Sequence, residues 1–190
     1  GDSQARITSA NLIKALDWAQ AEGARRGSPL AGKIKTDAVA VMGMSCGGNL
    51  ALEAARDPRV KTLGMWNSGV WISGEMRTGD GTLLVATTKK DLAFIHGPTL
   101  YINGDKIDPA MANAADDVAR LDKVPVFFGS RHGSGHSGTY SHANGGEFAN
   151  IATAWLRWQL KANKDSARTF TGADCLLCRD PNWTVQRKGL

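Results

Sequence analysis

Ala38-Val39-Ala40-Val41-Met42-Gly43-Met44-Ser45-Cys46-Gly47-Gly48-Asn49 is the stretch on which the fold turns. Its first five residues form a continuous apolar run of strand length, as expected for a strand buried on both faces. Gly43 to Gly47 then fits the pattern G-x-S-x-G, with Gly48 directly behind it. Asn49 to Ala55 reads as a helix that stops near Asp57-Pro58. A strand turning abruptly into a helix holds its central residue in a strained backbone conformation, and small neighbours let adjacent segments approach. The Ser45 hydroxyl is then expected at the carboxyl edge of a sheet. The helix N-terminus behind it offers backbone N–H groups and the positive end of a dipole to a developing oxyanion.

Outward from this stretch the chain alternates helix and strand. Thr8 or Ser9 can cap a first helix, with Leu12, Ile13, Leu16 and Ala19 at helical spacing and Gly23 or Gly27 to end it. Further strands fit Thr62–Trp66, Thr99–Asn103 and Val124–Phe128. Helices fit Ala110–Leu121 and Glu147–Ala162, the latter with Phe148, Ile151, Ala152, Trp155 and Leu156 on one face. The alternation predicts an α/β fold, a mostly parallel sheet covered by helices, in one domain spanning 1–190. Residues 69–98 are the least regular, with a short helix expected near Thr88–Phe94, and are the segment from which a lid would come. The tail after Ala162 is expected to pack across the domain through Phe170 and Trp183.

Composition narrows the function classes. The chain has 190 residues, 42% hydrophobic and 22% charged, enough to bury a core. No apolar run approaches the roughly 18 residues of a membrane span. Gly1 to Arg6 contains no apolar signal-peptide core. The net charge is +5, and its excess sits in residues 157–190. Apart from the adjacent Arg187-Lys188 those basic residues stand singly and form no longer run, which reads as a solvated face and not as a nucleic-acid footprint. Four histidines without metal-ligand spacing argue against a metal site, and no organic cofactor is implied. Cys175 and Cys178 form a lone C-x-x-C, read as a local structural disulfide of an oxidising compartment.

A serine nucleophile needs a base, and the base an orienting acid. The third strand runs into Gly104-Asp105-Lys106-Ile107-Asp108-Pro109, just past a carboxyl strand end, where α/β sites gather. Asp108 is the preferred acid, with Asp105 the alternative. The fourth strand leads into Ser130-Arg131-His132-Gly133-Ser134-Gly135-His136, where His136 is preferred as base over His132. His96 and His142 read as surface or packing residues. Cys46 reads as a small side chain whose backbone N–H forms half of an oxyanion hole. Trp66 and Trp71 flank the loop after the second strand, as candidate walls of a substrate cleft or as ordinary core aromatics.

These residues resemble the α/β-hydrolase superfamily, most closely secreted dienelactone-hydrolase-like and polyester-hydrolase-like serine esterases. The stretches that carry the resemblance are Val41–Gly48, Asp57-Pro58-Arg59-Val60, Ile102–Asp108, Gly135–Thr139 and Trp155–Leu160. It implies Ser45 as nucleophile, Asp108 as acid and His136 as base, acting on a small or polymeric carboxylic ester without metal or cofactor. It also implies a disulfide at Cys175 and Cys178 and a secreted or periplasmic location. Dienelactone hydrolases proper carry Cys at the central elbow position; Ser here favours ester cleavage, with transfer to an alcohol acceptor sharing the same machinery. One departure stands out. The residues before the elbow strand read mostly as one helix, whereas the superfamily places several strands there, one bearing the second oxyanion donor. The chain is thus expected to be the C-terminal portion of the full fold, lacking its N-terminal strands, with a companion chain or segment to supply them. The alternative reading is a non-catalytic binding or assembly module.

Overall fold

The computed structural model describes residues 8–190 apart from 75, 78, 80 and 82. The chain start, Gly1 to Arg6, lies outside the described residues, as do parts of the 69–98 stretch. Helix α1 (Ser9–Ala24) begins at Thr8, whose backbone N–H donates to the Asn11 side chain at 2.8 Å. Strand β1 (Val39–Met44) leads through Ser45 into α2 (Cys46–Ala54). Strand β2 (Val60–Trp66) follows, then a short hairpin of β3 (Met76–Arg77) and β4 (Leu83–Val85). A 3-10 turn over Lys89–Phe94 precedes β5 (Thr99–Gly104), α3 (Met111–Arg120) and β6 (Val126–Arg131). The chain closes with α4 (Gly146–Lys161), the short α5 (Lys164–Ala167) and α6 (Leu176–Arg179), and β7 (Trp183–Lys188).

Five strands form one sheet in the order β1-β2-β5-β6-β7. The first four are mutually parallel, and β7 joins β6 antiparallel. The α/β reading therefore holds, as a mostly parallel sheet flanked by helices. The antiparallel fifth strand is an element the sequence pattern did not anticipate. Trp183 and Val185 of β7 are its apolar members, alternating with Thr184 and Gln186, and Arg187 interrupts their face, so the segment carries only half of a strand's hydrophobic signal.

Side chains alternate across the sheet and feed two cores. Leu63, Met65, Tyr101, Val126 and Phe128 meet Ala51, Leu52, Ala114 and Val118 on the face covered by α2 and α3. Leu100, Ile102 and Phe127 meet Phe148, Ile151 and Trp155 of α4 on the other. Central β5 is buried along its whole length, whereas β1, at the sheet edge, is only half-buried. Trp155 satisfies its indole N–H by donating to Thr62 Oγ1 at 2.8 Å, which lets a large ring sit fully inside. Phe170 packs edge-on against Phe127 and Trp155, and Trp183 packs beside Phe148. The tail thus crosses the domain through the two aromatics expected to anchor it. Cys175 and Cys178 are disulfide-bonded.

Candidate functional site

Four parallel strands end on the same edge of the sheet, and each delivers one polar residue there. Ser45 follows β1, Asn67 follows β2, Asp108 lies on the loop after β5, and His136 on the loop after β6. This is the edge at which open α/β sheets collect their ligand-binding groups.

Ser45 adopts φ 54° and ψ −123°, a conformation that a residue with a side chain enters only under constraint. Several contacts hold it. Its N–H donates to the Trp66 carbonyl at 3.0 Å, and its carbonyl accepts from the Ser68 hydroxyl at 2.7 Å and from the Gly48 N–H at 3.0 Å. A Cβ on Gly43 would overlap the Gly47 carbonyl, and one on Gly48 would overlap the Ser68 hydroxyl. A Cβ on Gly47 would meet nothing. The steric requirement therefore falls on Gly43 and Gly48, with Gly47 free of it.

His136 Nε2 lies 2.9 Å from Ser45 Oγ, and its Nδ1 lies 2.8 Å from Asp108 Oδ1. The preferred serine, acid and base thus form one hydrogen-bonded chain. Asp108 is buried. Burial alone pushes its carboxyl up; the bond from His136, the Ala110 N–H, the Asn67 amide and the Gly104 N–H outweigh that and hold it below the usual carboxylate range. Oδ1 faces His136 and Ala110, while Oδ2 accepts from Asn67 Nδ2 at 2.8 Å and Gly104 N–H at 3.0 Å. Such a chain can take a proton from the Ser45 hydroxyl while the carboxylate steadies the imidazole.

The alternatives serve the loops. Asp105 accepts from the Ile107 N–H at 3.1 Å and the Gly133 N–H at 2.7 Å, tying the acid loop to the histidine loop. These backbone bonds hold its carboxyl below the usual range. His132 points away to Thr184 Oγ1, at 2.8 Å. His96 sits between the Phe94 and Val60 carbonyls, and His142 precedes the single turn over Ala143–Gly145.

Two residues escaped the sequence reading. Asn67, fully buried at φ 41°, donates to Asp108 Oδ2 and to the Gly135 carbonyl, the latter at 3.2 Å. Tyr140 donates its hydroxyl to Asn67 Oδ1 at 2.7 Å, which fixes the orientation of the amide. Burial, then the negative charge of Asp108, raises the Tyr140 pKa, so the phenol stays a donor. The signal that points to Asn67 is positional: it is the first residue past the carboxyl end of a central strand.

Beside Ser45 and His136 opens a cavity of about 170 Å³, whose walls include Trp71, Pro109, Ala110, Asn49 and Asn113. Cys46, also on its wall, is partly buried and opens α2. Trp71 thus stands at the expected cleft. Trp66 does not: it is buried against Phe148 and lines a separate apolar cavity of about 260 Å³ with Met42, Met44 and Tyr140. The strand alternation decides this, because Trp66 and Met65 face opposite sides of the sheet. No group of metal-ligating side chains occurs among the described residues, and none of their helices is long and apolar enough to cross a membrane. No protein-family model matches the sequence, and no curated protein matches it.

Proposed function

We propose that the protein is a serine hydrolase of carboxylic esters, of the α/β-hydrolase type. The observation that carries this reading is the continuous Ser45–His136–Asp108 hydrogen-bonded chain, built on a serine at positive φ between a strand and a helix. Ser45 Oγ attacks the ester carbonyl carbon while His136 Nε2 takes the hydroxyl proton. The carbon–oxygen bond to the alcohol breaks, and the alcohol leaves with that proton. Water then attacks the acyl-enzyme, gives a proton to Nε2, and the acid departs as Ser45 recovers its proton. Asp108 keeps Nδ1 protonated and steadies the transient imidazolium. The Cys46 amide, at the first turn of α2, is the oxyanion donor we assign within this chain.

The disulfide supports an oxidising compartment, hence a secreted or periplasmic setting. The test is intact mass before and after a fluorophosphonate probe. One adduct, mapping to Ser45, is expected. Ser45→Ala should remove the adduct and lower p-nitrophenyl ester turnover by at least about a thousandfold without unfolding the chain. Retained turnover in that variant would overturn the assignment.

A second reading draws on the sheet edge. Among the described residues no strand pairs with the outer side of β1, and unpaired edges of parallel strands invite further pairing. On this reading the chain is an assembly module completed by a companion chain or segment. It predicts no adduct on the isolated chain and a stable complex with another polypeptide.

A further inference from the structure

The cavity beside Ser45 contains a polar group that the reaction above does not use. Asn113, in the first turn of α3, is 7% exposed. Its Oδ1 accepts the Ile72 N–H at 3.3 Å. That bond ties the loop carrying Trp71 to α3 and leaves the Nδ2 amide on the other branch of the carboxamide. Nδ2 has no hydrogen-bond partner among the described residues, yet it is not one of their fully enclosed orphan atoms. The residue lines the cavity together with Ser45, His136 and Trp71, and its Nδ2 is not sealed off within the protein. Asn49, the other carboxamide on the wall, is already committed: its Oδ1 accepts from Thr87 at 2.6 Å, and its Nδ2 faces Ser68 Oγ and the Gly69 carbonyl.

An unpaired donor on a residue that is nine-tenths buried is poorly served, and a ligand acceptor placed against it gains a hydrogen bond. Of the other walls, Trp71, Pro109, Ala110 and Gly69 offer mainly apolar contact, while the Asn67 amide is engaged by Asp108, Gly135 and Tyr140 and the Ser68 hydroxyl by the Ser45 carbonyl, so the Asn113 donor is the carboxamide group left to a ligand acceptor. A site built to hydrogen-bond one oxygen discriminates against the analogue that lacks it.

We propose that Asn113 selects esters whose compact acyl group carries a hydrogen-bond-accepting oxygen, received by Asn113 Nδ2. The proposal rests on the esterase reading and adds the substrate class to it. The acyl chain enters the cavity along Trp71, its ester carbonyl stays at Ser45, and its distal oxygen meets the amide. Asn113 is here a specificity residue; it takes no part in moving the proton.

The experiment compares p-nitrophenyl 4-oxopentanoate with p-nitrophenyl pentanoate, each rate divided by its alkaline hydrolysis rate to remove intrinsic reactivity. Three proteins are used: the wild type, Asn113→Leu and Asn113→Asp. The aspartate keeps an acceptor for the Ile72 N–H and loses the donor, so it separates loop support from substrate contact. Circular dichroism and a melting curve on each variant report that it is folded. The wild type should favour the oxo ester in kcat/KM by between about twofold and tenfold, the range of one net neutral hydrogen bond. Both variants should bring the ratio to about one. An equal ratio in the wild type, or a preference retained in either variant, overturns the proposal while leaving the esterase intact. A wild type that turns over neither ester and takes no fluorophosphonate adduct removes the esterase reading, and this proposal with it.

Discussion

Asn67 shows how much of the Ser45–His136–Asp108 chain depends on a side chain outside it. Its amide joins the loops after three strands: its own after β2, Asp108 after β5 and the Gly135 carbonyl after β6. The amide cannot turn over without setting its oxygen against the Asp108 carboxylate, and the Tyr140 hydroxyl holds it the right way round. Asn67→Leu removes one of the donors that hold the Asp108 carboxyl below its usual range. The sign follows directly: protonation of Asp108 becomes easier, so activity at low pH should fail at a higher pH than in the wild type. We expect kcat to drop roughly tenfold, about the loss of one charge-assisted hydrogen bond. Tyr140→Phe should shift the profile the same way by less. A pH–rate profile of kcat/KM for the three proteins checks this, and a fall in thermal stability with an unmoved profile would reduce Asn67 to a packing role.

At the scale of elements, the junction of β1 and α2 carries the strain of Ser45. Positive φ at a residue with a side chain costs on the order of 1–3 kcal/mol, and the surrounding bonds must hold it there. Gly43 and Gly48 permit the close approach, because any Cβ on either would overlap its neighbour. Gly43→Ala should therefore abolish fluorophosphonate labelling or unfold the junction. Gly47→Ala should label normally and, lying within α2, leave the melting temperature unchanged or slightly raised. Mass spectrometry and a melting curve on each variant test the pair. The five-residue pattern is thus physically heterogeneous: one of its two glycines is sterically obligatory, and the second obligatory glycine lies one position beyond it. α2 begins at Cys46, three residues earlier than the apolar periodicity suggests, because the sharp turn at Ser45 lets the helix start just ahead of Gly47 and Gly48.

At the scale of the whole molecule, Asp117 ties separate parts of the chain together inside one core. It accepts from the Val70 N–H at 2.8 Å, from Lys89 Nζ at 2.6 Å and from the Tyr101 hydroxyl at 3.3 Å. Burial raises its carboxyl from the ordinary 3.8 to about 6, against the pull of Lys89 and the Val70 N–H. Between those values the folded chain holds a proton that the unfolded chain releases, so this group's contribution to stability falls as pH rises from about 4 to about 6 and is constant above. Asp57 and Asp116 act in the opposite sense. Arg59 lowers the first to about 2, and Arg120 with Lys89 lowers the second to about 2, so their contributions are present above pH 4 and lost on acidification towards 2. In urea unfolding at pH 4, 5 and 6.5, Asp117→Asn should remove the downward component between pH 4 and 6. An identical pH slope in wild type and variant would show that Asp117 does not titrate there.

What the sequence by itself determined is whatever depends on near neighbours in the chain. The apolar run of β1, the glycines beside Ser45, the periodic faces of α1 and α4, and the strand-end positions of Asp108 and His136 all follow from local sterics and hydrophobic periodicity. Even the choice of Asp108 over Asp105 tracked reach along the loop. Tertiary structure alone decided which groups meet. β7 pairs with β6 because its Trp183 face finds the α4 core, and its alternating pattern could not announce that partner. Trp66 and Trp71 are five residues apart and look equivalent on paper, yet the strand's alternation buries one and the loop presents the other. Asn67, Tyr140 and Asn113 reach their places through bonds to residues 41 to 73 positions away. Hydrogen bonding of that range is a property of the folded chain, since nothing in the flanking sequence distinguishes an asparagine that ends a strand from one that orients a carboxylate.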